Sequence, residues 1–299
     1  MTGGAHAEGN FADFGVDTVS FAGPLPGKLA AARAAGFTQA MLSARELVDH
    51  AQGLEAALQA VRASGLRVTG LQVLRDFEGL SGPRHAYKVD VAQAMLELCA
   101  RAGAKLLLVC STTSPEADTG IETMARDLRK LAMLAVPLGV KVAYEGLSWG
   151  RAINEFPQAW DVVVEADMPN LGIALDSFHA LAAHTPIDDL DLLDPDKVFL
   201  VQLADFMGEA RSGEERLAAG CHFRVFPGEG MHGDALAEWV KRLRAIGYRG
   251  DWSLEVFNDD YRQMPVTLVA ERARRSAVWL GETVLQRAVP LPHAMRRRP

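Results

Sequence analysis

Leu171–Asp176 reads LGIALD, a short apolar run that ends on a carboxylate. Such a run reads as a buried parallel strand. Side chains alternate between the two faces of a strand, so Asp176 shares its face with Ala174 and Gly172, while Leu171, Ile173 and Leu175 take the other. Three more runs repeat the pattern: KVAYE (Lys141–Glu145), VFLVQ (Val198–Gln202) and WSLE (Trp252–Glu255). Glu145 travels with Ala143 and Glu255 with Ser253, opposite Val142, Tyr144, Trp252 and Leu254. Small residues beside a polar tip suit the crowded inside of a small barrel, and bulky ones suit the contact with outer helices. Three acids and an amide at one barrel mouth form a donor set for a hard divalent cation, Mg²⁺ or Mn²⁺, with Co²⁺ tolerated.

Outward from these runs the chain alternates strand and helix. Strands are expected at 14–20, 38–42, 66–71 and 105–110, ahead of the four already quoted, with helices near 27–35, 54–64, 86–102, 122–138, 156–166, 177–183, 234–245 and 265–280. Eight such units predict a (β/α)₈ TIM barrel as a single domain, residues 14–282, between an extension at 1–13 and a tail at 283–299. Glu145, Asp176 and Gln202 are spaced by about one βα unit. The step from Gln202 to Glu255 is longer because of an excursion over 204–232. A doubly wound sheet would want a glycine-rich turn after its first strand, and Ser20–Gly27 is not GxGxxG. In a barrel, groups at the C-terminal strand ends are the ones that do chemistry. Four polar tips on four consecutive strands therefore outweigh the ordinary reading of each as a helix cap or a loop residue.

With 299 residues, 49% hydrophobic and 23% charged, the chain is long enough for one large α/β domain. No apolar run reaches the ~18 residues of a membrane span, and the start MTGGAHAEGN lacks the pattern of a secretory signal. Cys99, Cys110 and Cys221 show no CxxC spacing, which fits free thiols in a cytoplasmic protein. A net charge of −7 argues against a nucleic-acid partner. The basic run Arg296–Arg298 reads as a solvated tail. Val284, Leu285, Val289 and Leu291 would serve a homo-oligomer contact or cover the barrel.

Longer stretches carry a resemblance: LQVLRDFEG (Leu71–Gly79), VAYEGLSWG (Val142–Gly150), NLGIALDSFHA (Asn170–Ala180), VFLVQLAD (Val198–Asp205), HFRVFPGEG (His222–Gly230) and GYRGDWSLEVFND (Gly247–Asp259). On these the chain resembles the xylose-isomerase-like TIM-barrel superfamily of sugar isomerases, epimerases and related metal enzymes. Within that superfamily it is most similar to bacterial 3-dehydroshikimate dehydratases. The resemblance implies metal ligation by Glu145, Asp176, Gln202 and Glu255, with the Gln202 side-chain oxygen where many epimerases place a histidine. It implies a catalytic or substrate-contacting role for His179, and substrate binding by Arg75 and Arg224. His222, beside Arg224, is a further substrate-binding candidate. Two positions depart from the dehydratase pattern. Ser43 stands where those enzymes carry an acid after the second strand, and Ala152 where they often carry a histidine.

The implied reaction removes water from 3-dehydroshikimate to give protocatechuate. A C–H proton next to the ketone must leave, and then a hydroxyl. A divalent metal would polarise the carbonyl. His179 is the foremost acid–base candidate, and Glu145 or Glu255 is an alternative base. A substrate carboxylate wants a guanidinium fork, hence Arg75 and Arg224; the competing reading of either is a structural salt bridge. Trp149 would wall the pocket or simply pack in its βα loop, and PGEG (Pro227–Gly230) is a tight turn rather than a phosphate loop. The main alternative is a metal-dependent keto-sugar or sugar-phosphate isomerase or epimerase, with Glu145 and Glu255 passing a proton across the substrate. An apurinic-site endonuclease would need clustered histidines and a basic face. A non-catalytic metal-binding protein would have no need of His179 beside the four ligands.

Overall fold

A computed structural model describes residues 11–287. Eight parallel strands close a barrel in the order β1-β10-β7-β6-β5-β4-β3-β2. They are β1 (Phe14–Asp17), β2 (Gln39–Ser43), β3 (Arg67–Arg75), β4 (Leu106–Cys110), β5 (Lys141–Glu145), β6 (Leu171–Asp176), β7 (Val198–Leu203) and β10 (Trp252–Leu254). Ten α-helices are described: α1 (Leu25–Ala34), α2 (Ala44–Val48), α3 (Leu54–Ser64), α4 (Gly82–Ala102), α5 (Ile121–Ala135), α6 (Phe156–Ala166), α7 (Ser177–Ala183), α8 (Gly213–His222), α9 (Gly233–Ile246) and α10 (Val266–Val278). Among the described residues no helix is long and apolar enough to cross a membrane. The three cysteines are free.

The core divides as the alternation requires. Ala143, Ala174, Met41, Leu106, Leu108, Cys110 and Leu200 form one buried cluster inside the barrel. Val142, Tyr144, Leu171, Ile173, Leu175, Trp252 and Leu254 join the layer between strands and helices. Gly172 is demanded by space: a Cβ there would lie 2.3 Å from the Lys197 carbonyl and 2.7 Å from the Phe199 ring. Phe11 and Val284 are buried in the outer layer, and Leu285 packs against it. At this point the C-terminal apolar residues cover the barrel; Val289, Leu291 and Arg296–Arg298 lie outside the described residues.

Several elements differ from the sequence expectation. The first strand stops at Asp17, and Thr18–Ser20 turn into a 3₁₀ helix. The third strand runs on to Arg75, which is its last residue rather than a loop residue beyond it. The short α2 follows β2 directly. The excursion after β7 is structured. It holds a two-stranded antiparallel ribbon, β8 (Asp205–Phe206) with β9 (Arg224–Val225), and α8 between them. Ser212 and Glu215 start α8 with a capping box, the reciprocal bonding that satisfies free amides at a helix start. The PGEG segment is a turn: Gly228 has φ +83, and the Gly230 amide donates to Asp205.

Candidate metal and active site

The four polar tips converge where β5, β6, β7 and β10 end. Asp176 pairs in register with Gln202, and Gln202 with Ser253. Glu255 follows one residue beyond β10, its amide donating to the Leu203 carbonyl. All four side chains are buried. Gln202 Nε2 donates to Asp17 Oδ2 at 2.8 Å. Because only the amide nitrogen can donate to a carboxylate, this bond fixes the flip of the group. It leaves Gln202 Oε1 facing inward, buried and without a protein partner; Glu145 Oε1 is in the same condition. The other oxygen of Glu145 accepts from the Cys110 thiol at 2.9 Å.

Asp17 was not singled out from the sequence. Reading 14–20 as one strand placed it mid-run, whereas it is the last residue of β1, equivalent in place to Glu145 and Asp176. It accepts from Gln202, from Gln72 at 2.7 Å and from Ser253. Cys110 was missed for lack of charge, although it ends β4 and pairs in register with Glu145. Burial raises all four of these acids, and neighbouring acids raise Asp17, Glu145 and Glu255 further. Burial, then Asp176 and Glu255, push the Glu145 carboxyl up to about 8. Burial pushes Glu255 up to about 7, with Arg224 opposing and Asp176 adding. Asp17 is held well above the usual carboxylate range by burial and Glu255. Asp176 is also raised, by burial, with Arg224 pulling the other way.

Arg224 reaches this cluster from the excursion. Its Nη1 donates to Asp176 Oδ2 at 2.6 Å and to Glu255 Oε2 at 3.1 Å, and its Nε to the Gly220 carbonyl at 2.8 Å. The buried salt bridge weighed from the sequence is therefore present, made with two of the expected metal ligands. Phe178 lies under the guanidinium, 4.5 Å from its carbon. His179 sits on α7, which starts where Asp176 caps it by accepting from the Phe178 amide. Its Nδ1 accepts from the Ser148 main-chain N–H at 3.1 Å, with the Ser148 hydroxyl at 3.0 Å. A main-chain N–H can only donate, so the neutral ring carries its proton on Nε2. That nitrogen lies 3.8 Å from Asp176 Oδ2. Burial, with Arg224 and Arg75 nearby, holds His179 well below the ordinary histidine pKa. One ligand atom each from Glu145, Asp176 and His179 lie within 4.8 Å of one another.

A cavity of about 250 Å³ opens over the cluster, lined by Glu145, His179, Arg224, Glu255, Trp149 and Arg75. Trp149 does form a wall, edge-on to His179 with centroids 4.8 Å apart. A second cavity of about 700 Å³ adjoins it, with Ser43 in its lining. His222 lies at the cavity rim, exposed, its Nδ1 2.9 Å from Asp259 Oδ2. Arg75 is exposed, and among the described residues its guanidinium makes no hydrogen bond or ion pair. Arg262, from the loop after β10, also lines both cavities and was not singled out from the sequence.

Residues 29–282 match the family described as xylose isomerase-like TIM barrel. The chain belongs to that family. A 3-dehydroshikimate dehydratase of Pseudomonas aeruginosa is 39% identical over 279 residues, covering 92% of this chain and 43% of that protein. One from Neurospora crassa is 27% identical and covers 91% of this chain and 92% of its own length. Among solved structures, a xylose isomerase-like TIM barrel/4-hydroxyphenylpyruvate dioxygenase fusion protein superposes with a TM-score of 0.85 at 36% identity, over 91% of this chain and 43% of that one. The chain thus spans less than half the length of the Pseudomonas relative.

Proposed function

We propose that this barrel is a divalent-metal-dependent 3-dehydroshikimate dehydratase. The observation that carries the reading is one cavity lined both by Glu145, whose Oε1 is unpartnered, and by the arginines Arg75 and Arg262, with the unpartnered Gln202 Oε1 buried among the same strand ends. The oxygens ask for a cation, and the arginines ask for an anionic substrate.

The donor set fits a hard cation. Four buried carboxylates raised by burial, three of them by a neighbouring acid as well, are the state that a divalent ion relieves. Glu145, Asp176, Gln202 and Glu255 would hold it, and it would supply Lewis-acid polarisation of a substrate carbonyl. Asp17 would act from behind Gln202, fixing the amide so that its oxygen faces the site. His179 would stand beside this set rather than in it, because ligation through Nε2 would need the proton on Nδ1, where Ser148 already donates.

In the dehydration one C–H proton and one hydroxyl leave as water, and the remaining ring enolises to the aromatic diol. A carboxylate, Glu145 or Glu255, takes the carbon-bound proton. His179 Nε2–H donates to the departing hydroxyl, and Ser148 keeps that proton on the nitrogen facing the site. Trp149 in the cavity wall, with Phe178 packed behind it, excludes water from the exchange. Incubating the metal-loaded protein with 3-dehydroshikimate should give a growing catechol absorbance identifiable as protocatechuate. If instead only sugar epimers interconvert, the pair Glu145 and Glu255 serves an isomerase, and the dehydratase reading is lost.

A further inference from the structure

We infer that Arg262 is a specificity-determining residue, which with Arg75 holds the substrate carboxylate at the junction of the two cavities. The inference deepens the dehydratase reading and rests on it for the substrate class. Three arginines line the smaller cavity. Arg224 is committed: it is buried, and Asp176, Glu255 and the Gly220 carbonyl take its Nη1 and Nε. A carboxylate beside it would also sit among Glu145, Asp176, Glu255 and Asp17, where like charge repels it at low dielectric. Arg75 and Arg262 line both cavities, along with Gln72, Val73 and Phe257. The Arg75 guanidinium makes no hydrogen bond or ion pair among the described residues. Arg262 is half exposed, and its one ionic neighbour, Asp259, is 3.9 Å from Nη1. Asp259 is itself held 2.9 Å from His222, so Arg262 keeps most of its donors free. In the larger cavity the remaining acid, Glu46, is matched by Lys28 at 2.5 Å.

The charge in the cleft is therefore graded, acidic at the strand ends and basic at the junction. A ring bearing a carboxylate and a ketone fits this gradient in one direction, with the ketone and hydroxyls toward Glu145 and His179 and the carboxylate between Arg75 and Arg262.

The test uses 3,4-dihydroxybenzoate and its primary amide, titrated calorimetrically into the Mg²⁺-loaded wild type, Arg262→Ala and Arg262→Lys. The wild type should prefer the carboxylate. Arg262→Ala should weaken the carboxylate roughly tenfold and leave the amide unchanged, and Arg262→Lys should recover part. With 3-dehydroshikimate the same Ala variant should raise KM and spare kcat. Equal loss for both probes, no loss for either, or no binding by the wild type overturns the inference. Should the wild type make no protocatechuate while the carboxylate preference depends on Arg262, the dehydratase reading fails and the anion site stands. Should turnover occur with Arg262→Ala kinetics unchanged, the reverse holds.

Discussion

Arg224 is enclosed by acids. Burial works against its charge, yet Asp176, Glu255 and Glu145 hold its guanidinium above the ordinary arginine value. Its removal leaves two buried carboxylates without their cation, a loss of about 3–5 kcal/mol for a broken buried pair. Arg224→Ala should therefore lower the melting temperature of the chelated protein by several degrees. A variant that only raises KM would contradict the ion pairing described. His179 belongs to the chemistry and not to the core's cohesion. His179→Ala should cut kcat by roughly 10²–10⁴ with KM little changed, and wild-type turnover by that variant would return His179 to a packing role. For Gln202 the unpartnered oxygen makes the prediction. Gln202→Leu keeps the volume and should weaken the metal, read by equilibrium dialysis, while a wild-type metal affinity would remove Gln202 from the ligand set.

At the scale of elements, the excursion after β7 closes the site. α8 packs Gly220 onto the Trp149 wall, and the same residue's carbonyl receives Arg224 Nε. A Cβ at Gly220 would lie 2.6 Å from the Trp149 ring and 2.9 Å from Phe178. Neither ring can yield without moving the cavity wall. Gly220→Ala should cost about 1–3 kcal/mol by overpacking and lower kcat/KM, with the barrel's far-ultraviolet circular dichroism intact. Normal kinetics in this variant would show that α8 does not shape the cavity. The β1 end matters for the same reason. By stopping at Asp17 and turning into a 3₁₀ helix, the chain brings a carboxylate behind Gln202 instead of extending a strand past the mouth.

For the whole molecule, the raised acids set the pH response. An acid whose folded pKa exceeds its unfolded value keeps its proton in the folded state after the unfolded chain has lost it. Stability is then full below the ordinary carboxylate range and falls as pH rises through the folded value. Glu145 at about 8, Glu255 at about 7 and Glu78 at about 7 place this fall between roughly pH 4.5 and 8 in chelated protein. Glu78 lies outside the cavity lining, buried against the Thr112 amide and the Tyr144 hydroxyl with Oε2 unpartnered. Its share of the fall is on the order of 3 kcal/mol, and Glu78→Gln should flatten the slope of melting temperature against pH by that part. Mg²⁺ at 100 times its Kd should add about 2.7 kcal/mol, and the gain should be larger at pH 8 than at pH 5 because protons no longer compete. A chelated protein that grows more stable across this range would refute the assignment.

The sequence by itself determined the barrel and the deep end of its site. Strand parity is a local property, so small residues beside Glu145, Asp176 and Glu255 already fixed which face turned inward, and βα spacing fixed that these tips met. Arg75, Arg224 and His179 were marked by the family resemblance, and Trp149 by its place after Glu145. The sequence did not determine what each was bonded to. Arg224 sits 48 positions from Asp176 and 31 from Glu255, Asp17 185 from Gln202, and Ser148 31 from His179. Such pairings exist only once the barrel closes β1 against β10 and the excursion folds back over the strand ends. They decide the flip of Gln202, the proton on His179 and the commitment of Arg224, because hydrogen-bond donors and charges are satisfied in space and not along the chain.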